Sequence, residues 1–417
     1  MIVRRTAAVL AATVVIGTAL VPAAVADGSS PSPTPSRAIP SGLFGSTDPT
    51  YDGVWRQSLA LLAQHTVGER PAAKAVDWLA GQQCANGAFA AYRADATAAC
   101  DAKTMVDTNS TAAAVQALAA LGGHDGGTRK AAGWLESVQN KDGGWGYTAG
   151  GASDANSTSV VVGALAATGG KPGDVKSEEG RSPYDALAEL SVPCDGKGAD
   201  AGAFAYQPDK RGALAANADA TAAAVLGALG KGLVTTAGKA LPNGYTCEKA
   251  DTPTAAQAAN NGASYLARLL RDTPYLKSAM PGAKDQPDYG NTADAVVALA
   301  AQGGIAETKK PLAWLEKNSG PWATTSGPAA YAQLILAAHA TGTDPRAFGG
   351  TDLVQQLGAT GPAAQPSGSA AASTDAEKKD KKDDAKGVNV WWIVGVGLVG
   401  GIGIGFLISG RSKKQQL

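Results

Sequence analysis

Large side chains and metal ligands are scarce in this chain. Aromatic residues make up 6%, and 417 residues include only 5 Phe, 3 His, 3 Met and 4 Cys. So few histidines leave little material for His-based metal chemistry. Four cysteines are too few to build a disulfide scaffold in a chain this long. Neither sign of charge is in surplus, since 36 Lys and Arg balance 36 Asp and Glu. A nucleic-acid protein normally carries a basic excess, so no nucleic-acid partner is expected. Small residues are abundant: Gly numbers 53, and Ala is the commonest residue. Side chains of this size fill a core only where elements approach closely. The length alone suggests two or three domains.

The two ends have patterns of their own. Arg4 and Arg5, the apolar run from Ala7 to Val21, and Ala24-Val25-Ala26 have the layout of a secretory signal peptide over residues 1–26. The mature chain would begin near Asp27, outside the cytoplasm, with an N-terminal linker over 27–50. Near the other end, 388–409 holds an uncharged apolar run, Val388 to Ile408. It is long enough for a hydrocarbon core of ~30 Å. Trp391 and Trp392 suit the outer interface, and Arg411, Lys413 and Lys414 in 410–417 predict a cytoplasmic C-terminus. Gly397, Gly401 and Gly405 form a small-residue face that would let two such helices pair in the bilayer. Residues 358–387, rich in Pro, Gly and Ser and then in mixed charge, read as a disordered spacer. The expectation is a single-pass protein of the cell membrane with its body, 51–357, outside.

The body is repetitive. A Trp-Leu helix leads into a glycine turn with an aromatic: Trp78-Leu79 to Gly87 and Phe89, Trp134-Leu135 to Gly143 and Trp145, and more weakly Trp314-Leu315 to Gly320 and Trp322. A polar cap, an alanine-rich stretch and a closing glycine form the second unit. It starts at Asp107-Thr108-Asn109, Asp154-Ala155-Asn156, Asn217-Ala218-Asp219 and Asn291 to Asp294. Asp and Asn cap helix starts, and Gly takes the left-handed position at helix ends. The reading is six helices apolar all round, over 52–66, 108–121, 155–168, 217–230, 290–302 and 327–341. Six amphipathic helices alternate with them, over 71–82, 127–138, 182–192, 254–271, 307–318 and 350–357. Inner helices are apolar on every face and outer ones on one. The fold class is all-α, an (α/α)6 toroid, with closure resting on the short last helix.

The Gln139 to Trp145 turn followed by Asp154-Ala155-Asn156-Ser157-Thr158 resembles the prenyltransferase and squalene-cyclase repeat. That superfamily of terpenoid cyclases and protein prenyltransferases has the same toroid. Val106-Asp107-Thr108 and Ala112 to Val115 also resemble the helical domain of transcobalamin and intrinsic factor. The chemistry of these families needs motifs that are missing. The cyclase acid run Asp-x-Asp-Asp and the thioester motif Cys-Gly-Glu-Gln are absent, and His65, His124 and His339 fall in unrelated repeat positions. The apolar helices offer few aromatics beyond Trp55 and Tyr331 to stabilise a carbocation. No catalytic residue, metal or cofactor is expected. The cysteines suit two disulfides in an oxidising compartment. Loop positions favour Cys84–Cys100 and Cys194–Cys247, although four cysteines allow three pairings.

Ring closure would bring Asp107, Asn109, Asp154, Asn156, Asn217, Asp219, Asn291 and Asp294 to one mouth, with Trp145, Tyr147, Tyr206 and Tyr289 in the loops around it. Such a set could hold a polar, flat or sugar-like ligand. Helix capping competes with this reading. It accounts for Asn109, Asn156 and Asp219, which share one register, and leaves Asp107 and Asp154, two residues earlier, for a ligand. In cyclases aromatics equivalent to Trp145 and Phe89 tie repeats together. The expected function is non-catalytic binding of a small molecule (cobalamin-like, isoprenoid or glycan) or of a membrane protein such as a transporter. One alternative is a divergent cyclase or polysaccharide lyase or hydrolase with Asp107 and Asp154 as its carboxylate pair. Another is a protein-binding scaffold with an exposed apolar patch.

Overall fold

A computed structural model describes residues 39–365, apart from 196–197, 242–243, 280–282 and 284. The expected signal peptide, transmembrane helix, cytoplasmic tail and most of the spacer lie outside these residues. Among the described residues no helix is long and apolar enough to cross a membrane.

Alanine favours helix strongly, and the alanine-rich runs form α1 (Gly53–Thr66), α3 (Thr108–Leu121), α5 (Ala155–Ala167), α7 (Ala218–Ala228), α9 (Tyr289–Gln302) and α12 (Pro328–Thr341). Between them lie α2 (Ala73–Gly81), α4 (Asp125–Ser137), α6 (Pro183–Glu189), α8 (Ala255–Asp272), α10 (Ile305–Asn318) and, last, α13 (Leu353–Ala359). The first set forms a cycle: α1 packs on α3, α3 on α5, α5 on α7, α7 on α9, α9 on α12 and α12 on α1. The second set lies outside, each member against the inner helices beside it. The ring therefore closes, even though α13 is short. Its seam is tied by both chain ends, with Gly45 N–H donating to Thr360 O (2.8 Å) and Gln365 N–H to Arg70 O (2.7 Å). Part of the expected linker belongs to this seam. Phe44 is fully buried, and its N–H donates to the Gln57 side chain at 2.9 Å.

Four of the six repeats are each locked by one threonine. The hydroxyl oxygens of Thr111, Thr158, Thr221 and Thr292 accept the N–H of Phe89 (2.9 Å), Trp145 (3.0 Å), Phe204 (2.9 Å) and Leu276 (2.9 Å). The turn after an outer helix is thus fastened to the next inner helix, and its large side chain is buried. Three two-residue antiparallel ladders, absent from the sequence reading, extend this join: β1 (Phe89–Ala90) with β2 (Val106–Asp107), β3 (Phe204–Ala205) with β4 (Ala216–Asn217), and β5 (Leu276–Lys277) with β6 (Pro287–Asp288). The turn glycines are required. At Gly143, φ is +88° and an added Cβ would stand 2.3 Å from Ser182 O, at the start of the next outer helix; Gly87 meets Lys130 O in the same way at 2.4 Å. The weak third copy is not a turn. Gly320–Ser326 forms a short helix, α11, because Pro321 near its start is pre-set for helical φ.

The two ends of the ring differ. After α7 the chain crosses the end where the inner helices finish. Leu233 N–H donates to Gln116 Oε1 on α3 (2.8 Å), and Gly238 N–H to Ala300 O on α9 (2.8 Å). Leu233 and Val234 pack on the main core. This segment closes that end, leaving a hollow of about 280 Å³ lined by Leu62, Gln116, Ala119, Gly163, Ala166 and Gly232 among others. Cys84–Cys100 and Cys194–Cys247 are both formed, as the loop positions suggest.

Candidate functional site

The opposite end, where the inner helices begin, holds the polar groups. Four inner helices start from an extended residue whose side chain accepts a backbone N–H: Asp107 from Ser110 (2.6 Å), Asp154 from Ser157 (2.7 Å), Asn217 from Ala220 (2.9 Å) and Asp288 from Asn291 (3.0 Å). This reverses the expected assignment. Asp107 and Asp154 are the caps, because the ladders and turn bonds hold them extended before the helix begins. Both are buried, and the second Asp154 oxygen is taken by the Ser157 hydroxyl (2.8 Å). Asn109, Asn156 and Asp219, two residues further on, are released from capping.

These released groups are poorly satisfied. Asn109 is 2% exposed, and neither its amide oxygen nor its amide nitrogen has a partner. Asn156, also 2% exposed, donates its Nδ2 to Asp219 Oδ2 at 2.7 Å, while its Oδ1 is unpartnered. Buried amide groups without partners cost about 1–3 kcal/mol each. Such groups point to a bound water or a ligand. In α9 the fourth position of this register is Gly290. A Cβ there would lie 3.4 Å from Gln333 Oε1 and 3.6 Å from the Trp322 ring. The missing side chain lets Gln333 and Trp322 come close to the α9 backbone. Gln333 Nε2 donates to Asp294 Oδ2 at 3.1 Å.

Five aspartates surround this end, and among the described residues none of them forms an ion pair. Burial is the main reason their carboxyls are hard to ionise. It pushes Asp107 and Asp154 to about 6, against the hydrogen bonds of their caps. Asp219 is pushed to about 7 by burial and by the charges of Asp288 and Asp154. Asp294 is pushed to about 8 by burial and by Asp219 and Asp288. Asp288 is raised by burial as well. Asp219, Asp288 and Asp294 keep part of their surface open to solvent, as do Tyr289, Gly290 and Gln333. They lie near one another where α7, α9 and α12 meet.

The other expected site residues take varied places. Tyr206 reaches Asp154 Oδ2 with its hydroxyl at 3.4 Å, a weak bond. Tyr147 accepts the Thr108 N–H on its carbonyl oxygen (2.8 Å), and burial followed by the Asp107 charge raises its phenol. Asn291 folds back onto Asp288 at 2.9 Å and supports the cap. Trp145 does not face the mouth: it is 1% exposed, and its indole N–H donates to Leu135 O on α4 (2.7 Å). Tyr289 belongs to an inner helix, not to a loop. It stacks between Trp314 and Trp322, with ring centroids 4.9 and 5.5 Å away. Sequence reading missed Asp288, Gln333 and Gly290. The spacing from Asp107 to Thr111, repeated from Asp288 to Thr292, was the signal for the first.

No family model matches the chain, and no curated protein matches it. Among solved structures 23 chains match. An ent-copalyl diphosphate synthase from Streptomyces platensis is 16% identical, with a TM-score of 0.46 over 70% of this chain and 50% of that one. The chain thus spans about half the length of that synthase. A protein from Actinoplanes is 16% identical, with a TM-score of 0.46 over 74% of this chain and 96% of that one. A sugar epimerase from a ruminal bacterium is 13% identical, with a TM-score of 0.45 over 73% and 93%.

Proposed function

We propose that this chain is a non-catalytic binding protein, anchored in the cell membrane with its ring outside, that captures a small molecule at the open mouth. The observation that carries the reading is Asn109, a buried amide with both polar atoms unpartnered, beside the half-satisfied Asn156 in the same register. A site built only for stability would replace them with apolar residues. A scaffold role has less support. Among the described residues the exposed large hydrophobics are Tyr51 and Met105, two isolated side chains.

The full-length chain purified from its native membrane and weighed under non-denaturing conditions should carry an added small-molecule mass. Asn109→Ala should lose it. Bare protein under conditions that preserve other ligand complexes would overturn the reading. The proposed topology requires a mature N-terminus near Asp27 and a ring that external protease reaches in intact cells.

The enzyme alternative now rests on other carboxyls. Asp107 and Asp154 are occupied as caps, whereas Asp219 and Asp294, at about 7 and about 8, lie where a general acid works near neutrality. Glycan turnover by the full chain, abolished by Asp219→Asn, would establish it.

A further inference from the structure

The four threonine locks leave two inner helices whose starts are held by other means. α1 is clamped by the segment before it, where Arg56 donates to Thr47 Oγ1 and to Thr47 O at 2.9 Å each, and Gln57 accepts the Phe44 N–H. Among the described residues α12 has neither a ladder nor a threonine lock. It follows α11 through Gly327, where φ is +75° and nothing stands within 4 Å of an added Cβ. The side-chain hydrogen bonds at its start are the Thr324 and Tyr331 hydroxyls, 3.3 Å apart, and Gln333 Nε2 to the Asp294 carboxyl at 3.1 and 3.4 Å. The hydroxyl pair is long for a bond of its kind.

The joint made by Gln333 therefore rests on a carboxyl, and that carboxyl has no counter-charge. Asp294 on α9 faces Asp219 on α7 and Asp288 before α9. Asp219 faces Asp288 on that side and Asp154 and Tyr206, beside α5, on the other, and it accepts the Asn156 amide. Among the described residues α6, α8, α10 and α12 add no charge that acts on either carboxyl. None of these neighbours is positive. Protonated, the aspartic acids are neutral and can stay packed where the helices meet. Ionised, they repel one another and lack the hydration that water would give them. The packed form has a second cost. Asn156 Oδ1, and both polar atoms of Asn109 one repeat away, are sealed without a partner. Water that reached them would satisfy them. Carboxyl charge, unmet amides and an unlocked helix start favour the same movement.

We propose that this end of the ring is a proton-operated gate, in which ionisation of Asp219 and Asp294 parts the start of α12 from α9, pivoting at Gly327, and admits water as far as Asn156. The closed form is the protonated one. In it the two carboxyls are raised from 3.8 to about 7 and about 8, and in the hydrated form they return toward the ordinary value. Opening is favoured as pH rises, by up to about tenfold per unit for each carboxyl, and levels off above the closed-form values. The gate would give a captured molecule a route to the buried amides, but it does not rest on the capture reading and holds for an empty ring.

The test is amide hydrogen exchange of the full-length chain at about pH 6 and about pH 8, with each rate divided by the chemical rate at that pH. Protection from Ala293 to Val296 in α9 and from Tyr331 to Leu334 in α12 should fall at least about tenfold between the two. Leu233 and Gly238, whose amides are bonded across the opposite end, should keep theirs. Asp219→Asn with Asp294→Asn should show equal protection at both pH values. Asp294→Asn alone, the milder change, should remove the larger part of the fall, and it decides the matter if the double variant does not fold. A fall of equal size at both ends would be a general loss of stability and would overturn the gate. So would undiminished protection at the higher pH, or a fall that the variants leave unchanged. None of these outcomes touches the capture reading, whose own test is the co-purified mass.

Discussion

Asp107 and Asn109 are two residues apart and have opposite energetic roles. Asp107 satisfies a helix end. Asn109 leaves two polar atoms buried and unmatched. Asp107→Ala should therefore destabilise the protein by ~1 kcal/mol through the lost cap. Asn109→Ala should leave stability unchanged or raise it. Thermal melts of the two ligand-free variants give the comparison, and equal losses would contradict the assignment. The pH dependence follows from the carboxyls. Asp219 and Asp294 are raised from 3.8 to about 7 and about 8. Below these values the folded chain holds protons that the unfolded chain has released. Stability is then lost as pH rises through the folded values. His339, lowered by burial from 6.5, acts in the opposite direction only at more acid pH. Melting temperature should fall between about pH 6.5 and 9, and Asp294→Asn should flatten that fall; a rising curve would refute it. The cap register could not be settled from sequence. Asp-Thr-Asn-Ser-Thr offers two good caps, and the choice depends on which residue is held extended. The partner that holds Asp107, Phe89, lies 18 residues upstream across a ladder.

At the scale of elements, the alternation of inner and outer helices was legible to within a few residues, because alanine-rich runs between caps and glycines leave few alternatives. The ladders were not, since two residues carry no periodicity to detect. α11 was misread because Gly320-Pro321-Trp322 imitates the turn motif while proline also begins a helix. The threonine locks give a direct prediction. Thr158→Val removes the acceptor of the buried Trp145 N–H and should destabilise by about 1–3 kcal/mol. Hydrogen exchange at Trp145 should accelerate more than exchange along α5. Uniform acceleration would mean that the lock is no separate joint.

The molecule as a whole is held by its seam and its two disulfides. Cys84–Cys100 spans 16 residues and Cys194–Cys247 spans 53. Chain entropy assigns them about 3 and about 4 kcal/mol. Replacing the second pair by Ser should lower the denaturant midpoint more than replacing the first; the reverse order would point to enthalpic effects. Closure of the ring was only half legible. The short α13 gave no warning that Phe44, in a stretch expected to be linker, completes the seam with Thr360.

That seam also sets the point of exit. Gln365 is bound to Arg70, which follows the C-terminal end of α1. The described chain therefore leaves the ring at the end where the inner helices finish, across from the buried aspartates. A membrane tether such as the one proposed would join the ring at that end, and a flexible spacer would hold the ring off the bilayer without fixing its tilt. On such a spacer the polar end of the ring could face the bilayer or the surroundings by simple rotation, so the tether would set the ring's distance from the membrane and leave its direction to whatever it meets.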